Sequence, residues 1–207
     1  MRFNKVGIIE GTRGTGKSLF LLGSKYSAKK GDDELNINGL IEAQLKNNFK
    51  VLIIDTLDHP SYRKIAVIPQ KNINKFNNGV GRVFMNPEKI IQFVKMVNQA
   101  PVFNNTFFVF EDAGKYTGNR LPIDFKILIS DSKQRNIDIV FMYHCWAETP
   151  LDIFRKGLDY IQLFKTDDGP VVRKNNLSLY EKIENIYKRI KQNKSRFYSE
   201  FIDTSTI

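Results

Sequence analysis

Gly11-Thr12-Arg13-Gly14-Thr15-Gly16-Lys17-Ser18 satisfies the phosphate-binding pattern G-x-x-x-x-G-K-[ST] at every fixed position, and its surroundings decide the fold class. Val6 to Glu10 before it is a short β-branched apolar run, and Leu19-Phe20-Leu21-Leu22 after it continues as a helix. Strand, glycine-rich loop and helix in that order are the context in which the pattern has chemical meaning. Glycines let successive N–H groups turn inward, and the helix start adds its positive dipole end, so a polyphosphate fits the nest. Residues 11–19 are therefore the candidate nucleotide cradle. Lys17 is expected to reach the β- and γ-phosphate oxygens, and the Ser18 hydroxyl to ligate a magnesium ion bridging them.

Working outward, buried strands and helices alternate. Val51 to Asp55 and Thr106 to Phe110 are continuous apolar runs of the kind buried on both faces of a sheet. Arg82 to Met85 and Tyr160 to Phe164 read as shorter strands, and Ile137 to Tyr143 as another buried one. Helices are expected from the loop to about Lys30, over Leu40 to Leu45, from Asn86-Pro87-Glu88 onward, after Leu121-Pro122, and after Thr149-Pro150 up to Gly157. The Asn-rich stretch 71–81 reads as a mobile surface loop, and Asp168-Gly169 before Pro170-Val171-Val172 as a hairpin return. Tyr180, Ile183, Tyr187 and Ile190 form one helical face. The alternation predicts a three-layer α/β fold with a mostly parallel sheet. Residues 1–172 would form the nucleotide-binding domain and 173–207 a basic helical tail packed on it or extending from it.

In such sheets ligands bind where strands end at their carboxyl termini. Two acids, Glu111 and Asp112, stand at the end of the Thr106 to Phe110 strand, and His144 follows Tyr143. One acid would hold the metal through water and its neighbour polarise the attacking water. The plainer alternatives are solvated carboxylates and a partly buried histidine with a satisfied ring nitrogen.

The 207 residues carry 32 Lys and Arg against 22 Asp and Glu, a net +10. Eight of the basic residues fall between Arg173 and Tyr198, where only Glu181 and Glu184 oppose them, so the excess is concentrated in the tail. That distribution points to a polyanionic partner. At this length a second catalytic domain such as a nuclease is not expected. With one cysteine, Cys145, and two histidines, neither an internal disulfide nor a zinc cluster is expected. No apolar run reaches membrane-spanning length and no signal peptide is visible, so a cytoplasmic location is expected.

The loop near the N-terminus, Leu52-Ile53-Ile54-Asp55 continuing to Pro60-Ser61-Tyr62, the Glu111-Asp112 pair and the stretch Ser132 to His144 together resemble the HerA/FtsK superfamily of additional-strand, RecA-like phosphate-loop ATPases. Within it the chain resembles small viral and phage genome-packaging ATPases and their Zot-like relatives, over about residues 4–166. An extra strand, Val51 to Asp55 or Arg82 to Met85, stands between loop strand and acid strand in sequence. The resemblance implies ATP and Mg2+ as cofactors, a homo-oligomeric ring, and translocation of double-stranded DNA into a capsid, with a capsid or portal protein as partner. It implies the cytoplasm of a host cell, or association with the virion, as location. It also implies an arginine supplied by the neighbouring subunit, for which Arg135 and then Arg120 are candidates, and His144 as a sensor. Glu111 would be the magnesium-side acid and Asp112 the water-activating one; the family order is Asp then Glu, and the longer Glu side chain allows the roles to exchange. Competing readings are a Zot-like phage assembly or extrusion ATPase, a nucleotide or small-molecule kinase, and a nucleotide-binding module without turnover. The paired acids favour hydrolysis over transfer to an acceptor.

Overall fold

The computed structural model describes residues 5–155, 157–170 and 177–204, apart from the side chains of Leu177 and Ser178. Seven strands form one sheet: β1 (Val6–Glu10), β2 (Lys50–Asp55), β3 (Val80–Phe84), β4 (Thr106–Phe110), β5 (Ile137–Tyr143), β6 (Tyr160–Leu163) and β7 (Glu200–Asp203). Their order is β3-β2-β4-β5-β1-β6-β7. All pair in parallel except β6 with β7, where Tyr160 faces Asp203 and Leu163 faces Glu200. In the sheet the strand that separates β1 from acid-bearing β4 is β5, whereas β2 and β3 lie beyond β4.

Period-two alternation sends neighbouring residues to opposite faces. Ile8, Ile54, Phe108, Phe110, Ile139 and Phe141 join one core, and Ile9, Ile53, Phe107, Val109, Val140 and Met142 the other. The first core is covered by α3 (Pro87–Gln99) through Ile90 and Val94, α5 (Ile123–Asp131) through Phe125 and Leu128, and α7 (Leu177–Gln192) through Ile183 and Ile190. The second is covered by α1 (Lys17–Tyr26) through Leu21 and Leu22, and α2 (Leu40–Lys46) through Ile41. Short α4 (Gly114–Thr117) and α6 (Leu151–Arg155) complete the elements. This is the expected three-layer arrangement with a mostly parallel sheet. Asn86 caps α3 by accepting from the Lys89 amide at 2.9 Å, and Pro87 opens its first turn, as its sequence predicts.

Two expectations are corrected. The helix after the loop does not run to Lys30: it breaks at Gly23 (φ 65°) and ends at Tyr26. A Cβ on Gly23 would stand 2.4 Å from the Gly39 nitrogen, and one on Gly39 2.2 Å from the Gly23 nitrogen. The backbones entering α2 and leaving α1 touch there, and glycine at both positions permits it. The Asn-rich stretch is not simply a surface loop. Gln70–Lys75 forms a 3-10 turn that sinks Ile73 into the core, and β3 begins at Val80, two residues before the expected Arg82. The antiparallel partner of β6 is β7 at the far end of the chain. The hairpin return through Val171 and Val172 lies outside the described residues. Among the described residues no helix is long and apolar enough to cross a membrane.

Candidate active site

The carboxyl ends of β1, β4 and β5 meet on one edge. The loop leaving β1 is held by backbone bonds from Gly11 N to Tyr143 O at 3.2 Å and from Thr12 N to Lys165 O at 2.8 Å. Thr15 is buried and its hydroxyl closes the loop on Thr12 O at 2.8 Å. Gly16, in left-handed conformation at φ 104°, caps α1 and directs the first helical amides toward the loop. Ser18 and Leu19 lie in that first turn, and Arg13 is exposed at the loop's outer corner.

Lys17 is buried, and its amine donates to the carbonyls of Gly11 and of Thr12, the latter at 3.1 Å. Burial lowers its pKa, opposed by the charges of Glu111, Glu10 and Asp112. The amine lies 3.2 Å from His144 Nδ1, and His144 Nε2 lies 2.5 Å from Asp112 Oδ1. A carboxylate only accepts and an ammonium only donates, so Nε2 carries the proton toward Asp112 and Nδ1 accepts from Lys17. His144 thus joins the lysine of the phosphate loop to an acid of β4.

Asp112 takes a left-handed backbone (φ 48°) that swings its carboxylate to the strand end. Its other oxygen accepts from Lys115 Nζ at 2.6 Å and Thr56 Oγ1 at 3.3 Å. The bond to His144, followed by that to Lys115, holds this carboxyl well below the usual carboxylate range. Its neighbour is the opposite. Glu111 is buried, one carboxyl oxygen lacks a hydrogen-bond partner among the described residues, and burial together with the Asp112 charge pushes its pKa to about 8. Buried Tyr62, whose hydroxyl donates to Met142 Sδ at 3.7 Å, lies beside both the Glu111 and the Ser18 side chains. Ser18 and Glu111 thus border one oxygen-rich corner, with the Lys17 ammonium as its nearby positive charge. Hard oxygen donors and an unpartnered buried carboxyl are the chemistry that suits Mg2+. Such an ion would neutralise charge on bound phosphate oxygens.

A further buried acid ends β1. Glu10 receives the Thr149 hydroxyl at 2.8 Å, its second oxygen has no hydrogen-bond partner among the described residues, and burial raises its pKa to about 8. A carboxyl raised from its ordinary value binds more protons folded than unfolded across about pH 4.5 to 8, so stability falls as pH rises through that window. Glu10→Gln is expected to remove part of that loss and to raise stability at pH 8.5 by on the order of a few kcal/mol, with little change at pH 5. Urea unfolding at the two pH values measures it; an equal effect at both would assign Glu10 no titration.

The structure brings together Gly11 to Leu19, Glu111, Asp112 and His144, but neither arginine candidate. Arg120 is exposed in the connection between α4 and α5, on the side where β4 ends. Arg135 precedes β5 at the opposite, amino-terminal edge, where its guanidinium donates to Asn104 Oδ1 at 3.0 Å and Ala100 O at 2.9 Å. Sequence reasoning assigned no role to Tyr62, Thr56, Lys115 or Glu10. Lys115, three residues after Asp112 on a helical turn, was the one with a readable signal. Tyr62 and Thr56 arrive from the β2 to β3 connection, which local spacing does not connect to the loop. Asp55, the acid that ends β2, is occupied by the amides of Leu57 at 3.0 Å and His59 at 3.1 Å and holds its own loop.

No protein-family model and no curated protein matches the sequence. Solved structures do. The genome packaging NTPase B204 from Sulfolobus turreted icosahedral virus 2, in complex with ATP-gammaS, superposes at a TM-score of 0.68 and 12% identity, covering 100% of this chain and 95% of that one. Its complex with AMPPCP gives a TM-score of 0.69 at 11% identity, over 98% and 94%. B204, the DNA-packaging ATPase from Sulfolobus turreted icosahedral virus, gives 0.67 at 15%, over 100% and 95%. At these identities the likeness is one of fold, extending end to end along both chains.

Proposed function

We propose that this chain is a magnesium-dependent ATPase that moves double-stranded DNA, packaging a viral genome into a capsid as a homo-oligomeric ring. The observation that carries the reading is the convergence of Lys17, Ser18, Glu111 and the Asp112–His144 pair on one sheet edge, in a fold that matches viral packaging NTPases over its whole length.

In this reading the loop amides and Lys17 hold the β- and γ-phosphates. Ser18 and Glu111 would hold Mg2+, which supplies charge neutralisation on the phosphate oxygens when bound. Water attacks the γ-phosphorus, its oxygen forming the new bond as the bond to the β–γ bridging oxygen breaks and ADP departs. Asp112 accepts the water's hydrogen bond and then its proton. Its depressed pKa makes it a modest base but keeps it ionised, which suits a loose phosphoryl-transfer transition state where orienting water matters more than removing its proton early. His144 reports phosphate occupancy at Lys17 to Asp112. A neighbouring subunit's arginine would stabilise the transferring group, and exposure favours Arg120 over the locally engaged Arg135 for that reach. The exposed Lys188, Lys191 and Lys194 of the tail, with Lys71 and Lys75, offer phosphate contacts to DNA that carry no sequence preference.

Steady-state ATP hydrolysis with and without double-stranded DNA tests the reading. Stimulation by DNA of any sequence, about tenfold or more weaker at 200 mM than at 50 mM salt, is expected. An unstimulated rate together with phosphate transfer to a small acceptor would overturn the motor in favour of a kinase. Light scattering with nucleotide tests the ring, and a strict monomer in all conditions would remove the partner arginine.

A further inference from the structure

The segment between α7 and β7 passes over the phosphate loop and is fixed at several points. Lys165 Nζ donates to Asn193 O at 2.5 Å, the Ser195 amide to Asn193 Oδ1 at 2.9 Å, and the Phe197 amide to Ser195 Oγ at 3.2 Å. Arg189 Nε donates to Glu200 Oε1 at 3.0 Å, which also receives the Tyr198 hydroxyl at 3.1 Å, so the helix before the segment and the strand after it are clamped together. The Phe197 ring lies against Gly16, 3.4 Å from where a Cβ would stand.

From this base Arg196 lies on the loop itself. One guanidinium nitrogen donates to the Arg13 carbonyl at 2.7 Å, and the same nitrogen is 2.9 Å from where a Cβ on Gly14 would stand. Gly14 is at φ +76°, and any side chain there would displace the guanidinium. Among the described residues no carboxylate pairs with Arg196, so most of its five donors are unspent. It also borders a cleft of about 460 Å³ between the loop and α7, lined by Thr12, Thr15, Lys165, Tyr187 and Lys191 and by one acid, Asp167. An always-charged fork anchored through one nitrogen, with free donors beside an anion nest, can take a phosphate at reduced ordering cost.

We propose that Arg196 is a nucleotide-binding residue acting in cis, its guanidinium contacting the polyphosphate of a nucleoside triphosphate held by the loop of the same chain. This rests on the nucleotide reading given above and adds that the C-terminal segment is part of the site. Nucleotide occupancy is then felt by α7 and β7 of the same subunit, independently of any neighbour.

The test is equilibrium binding of ATP, ADP and AMP to the full chain, with Arg196→Gln, Arg196→Lys and Lys17→Ala beside wild type. Glutamine keeps a donor for the Arg13 carbonyl but loses the charge; lysine keeps charge without the fork. Arg196→Gln is expected to weaken ATP binding about tenfold, ADP less and AMP least, and Arg196→Lys to recover part of the loss. An equal loss for all three nucleotides would mean that Arg196 only props the loop, and unchanged ATP affinity in the glutamine variant while Lys17→Ala abolishes binding would overturn this inference alone. Wild-type affinity in Lys17→Ala would instead overturn the nucleotide reading beneath it.

Discussion

Asp112→Asn is expected to lower ATP turnover by about 10²- to 10⁴-fold while leaving ATP affinity within about threefold of wild type. Asparagine is nearly isosteric, so the loop, Lys17 and Ser18 keep their places. What changes is the charge. Asp112 accepts from His144 on one oxygen and from Lys115 and Thr56 on the other. With an amide there, one side of the group becomes a donor, and either the bond from His144 or that from Lys115 must be given up. The water-orienting acceptor is lost at the same time. Single-turnover hydrolysis beside equilibrium ATP binding separates the two effects. A variant that weakens binding as much as turnover would move Asp112 from chemistry to nucleotide retention, and Glu111→Gln, measured in parallel, would show whether the two acids have exchanged roles.

Lys17→Ala should reduce ATP affinity at least about a hundredfold and abolish measurable turnover, the largest binding loss expected of any single substitution here. Folding should not suffer with it. Burial already lowers the Lys17 pKa, so the folded chain carries a desolvated ammonium whose removal relieves a cost, although Glu111, Glu10 and Asp112 lose a compensating charge. Thermal unfolding distinguishes these effects. Wild type should gain stability with saturating ATP, about 2.7 kcal/mol at a hundredfold excess over Kd, whereas the alanine variant should unfold at one temperature with or without nucleotide. A variant that retains the ATP-dependent shift would deny Lys17 its phosphate contact.

Much of this edge was legible locally. The apolar runs that became β1, β2, β4 and β5 are continuous because a central parallel strand is buried on both faces. Their ends are marked by the polar residues that follow, which is how Glu111, Asp112 and His144 could be singled out. Where sequence reasoning failed, a distant contact overrode local preference. Gly23 breaks α1 because Gly39 lies against it. Ile73 turns an Asn-rich stretch inward because its burial in the core outweighs the local turn preference. β7 is a four-residue strand whose pattern is too short to stand out and whose existence depends on pairing with β6.

The amino-acid sequence by itself determined the chemistry available: an anion nest with its lysine and hydroxyl, two adjacent acids, a histidine at a strand end, and a basic tail. These follow from residue type and short spacing, which act over a few bonds. Only the tertiary structure decided which groups meet. It inserted β5 between β1 and β4, so that His144 lies between Lys17 and Asp112. It gave neighbouring carboxyls opposite characters, Glu111 buried with an unpartnered oxygen and Asp112 held by His144 and Lys115. It also folded the C-terminal segment back so that Arg196 reaches the Arg13 carbonyl 183 positions earlier in the chain. The physical reason is common to all three: desolvation, charge pairing and hydrogen bonding depend on distance in space, which residue spacing specifies only within a turn or a strand.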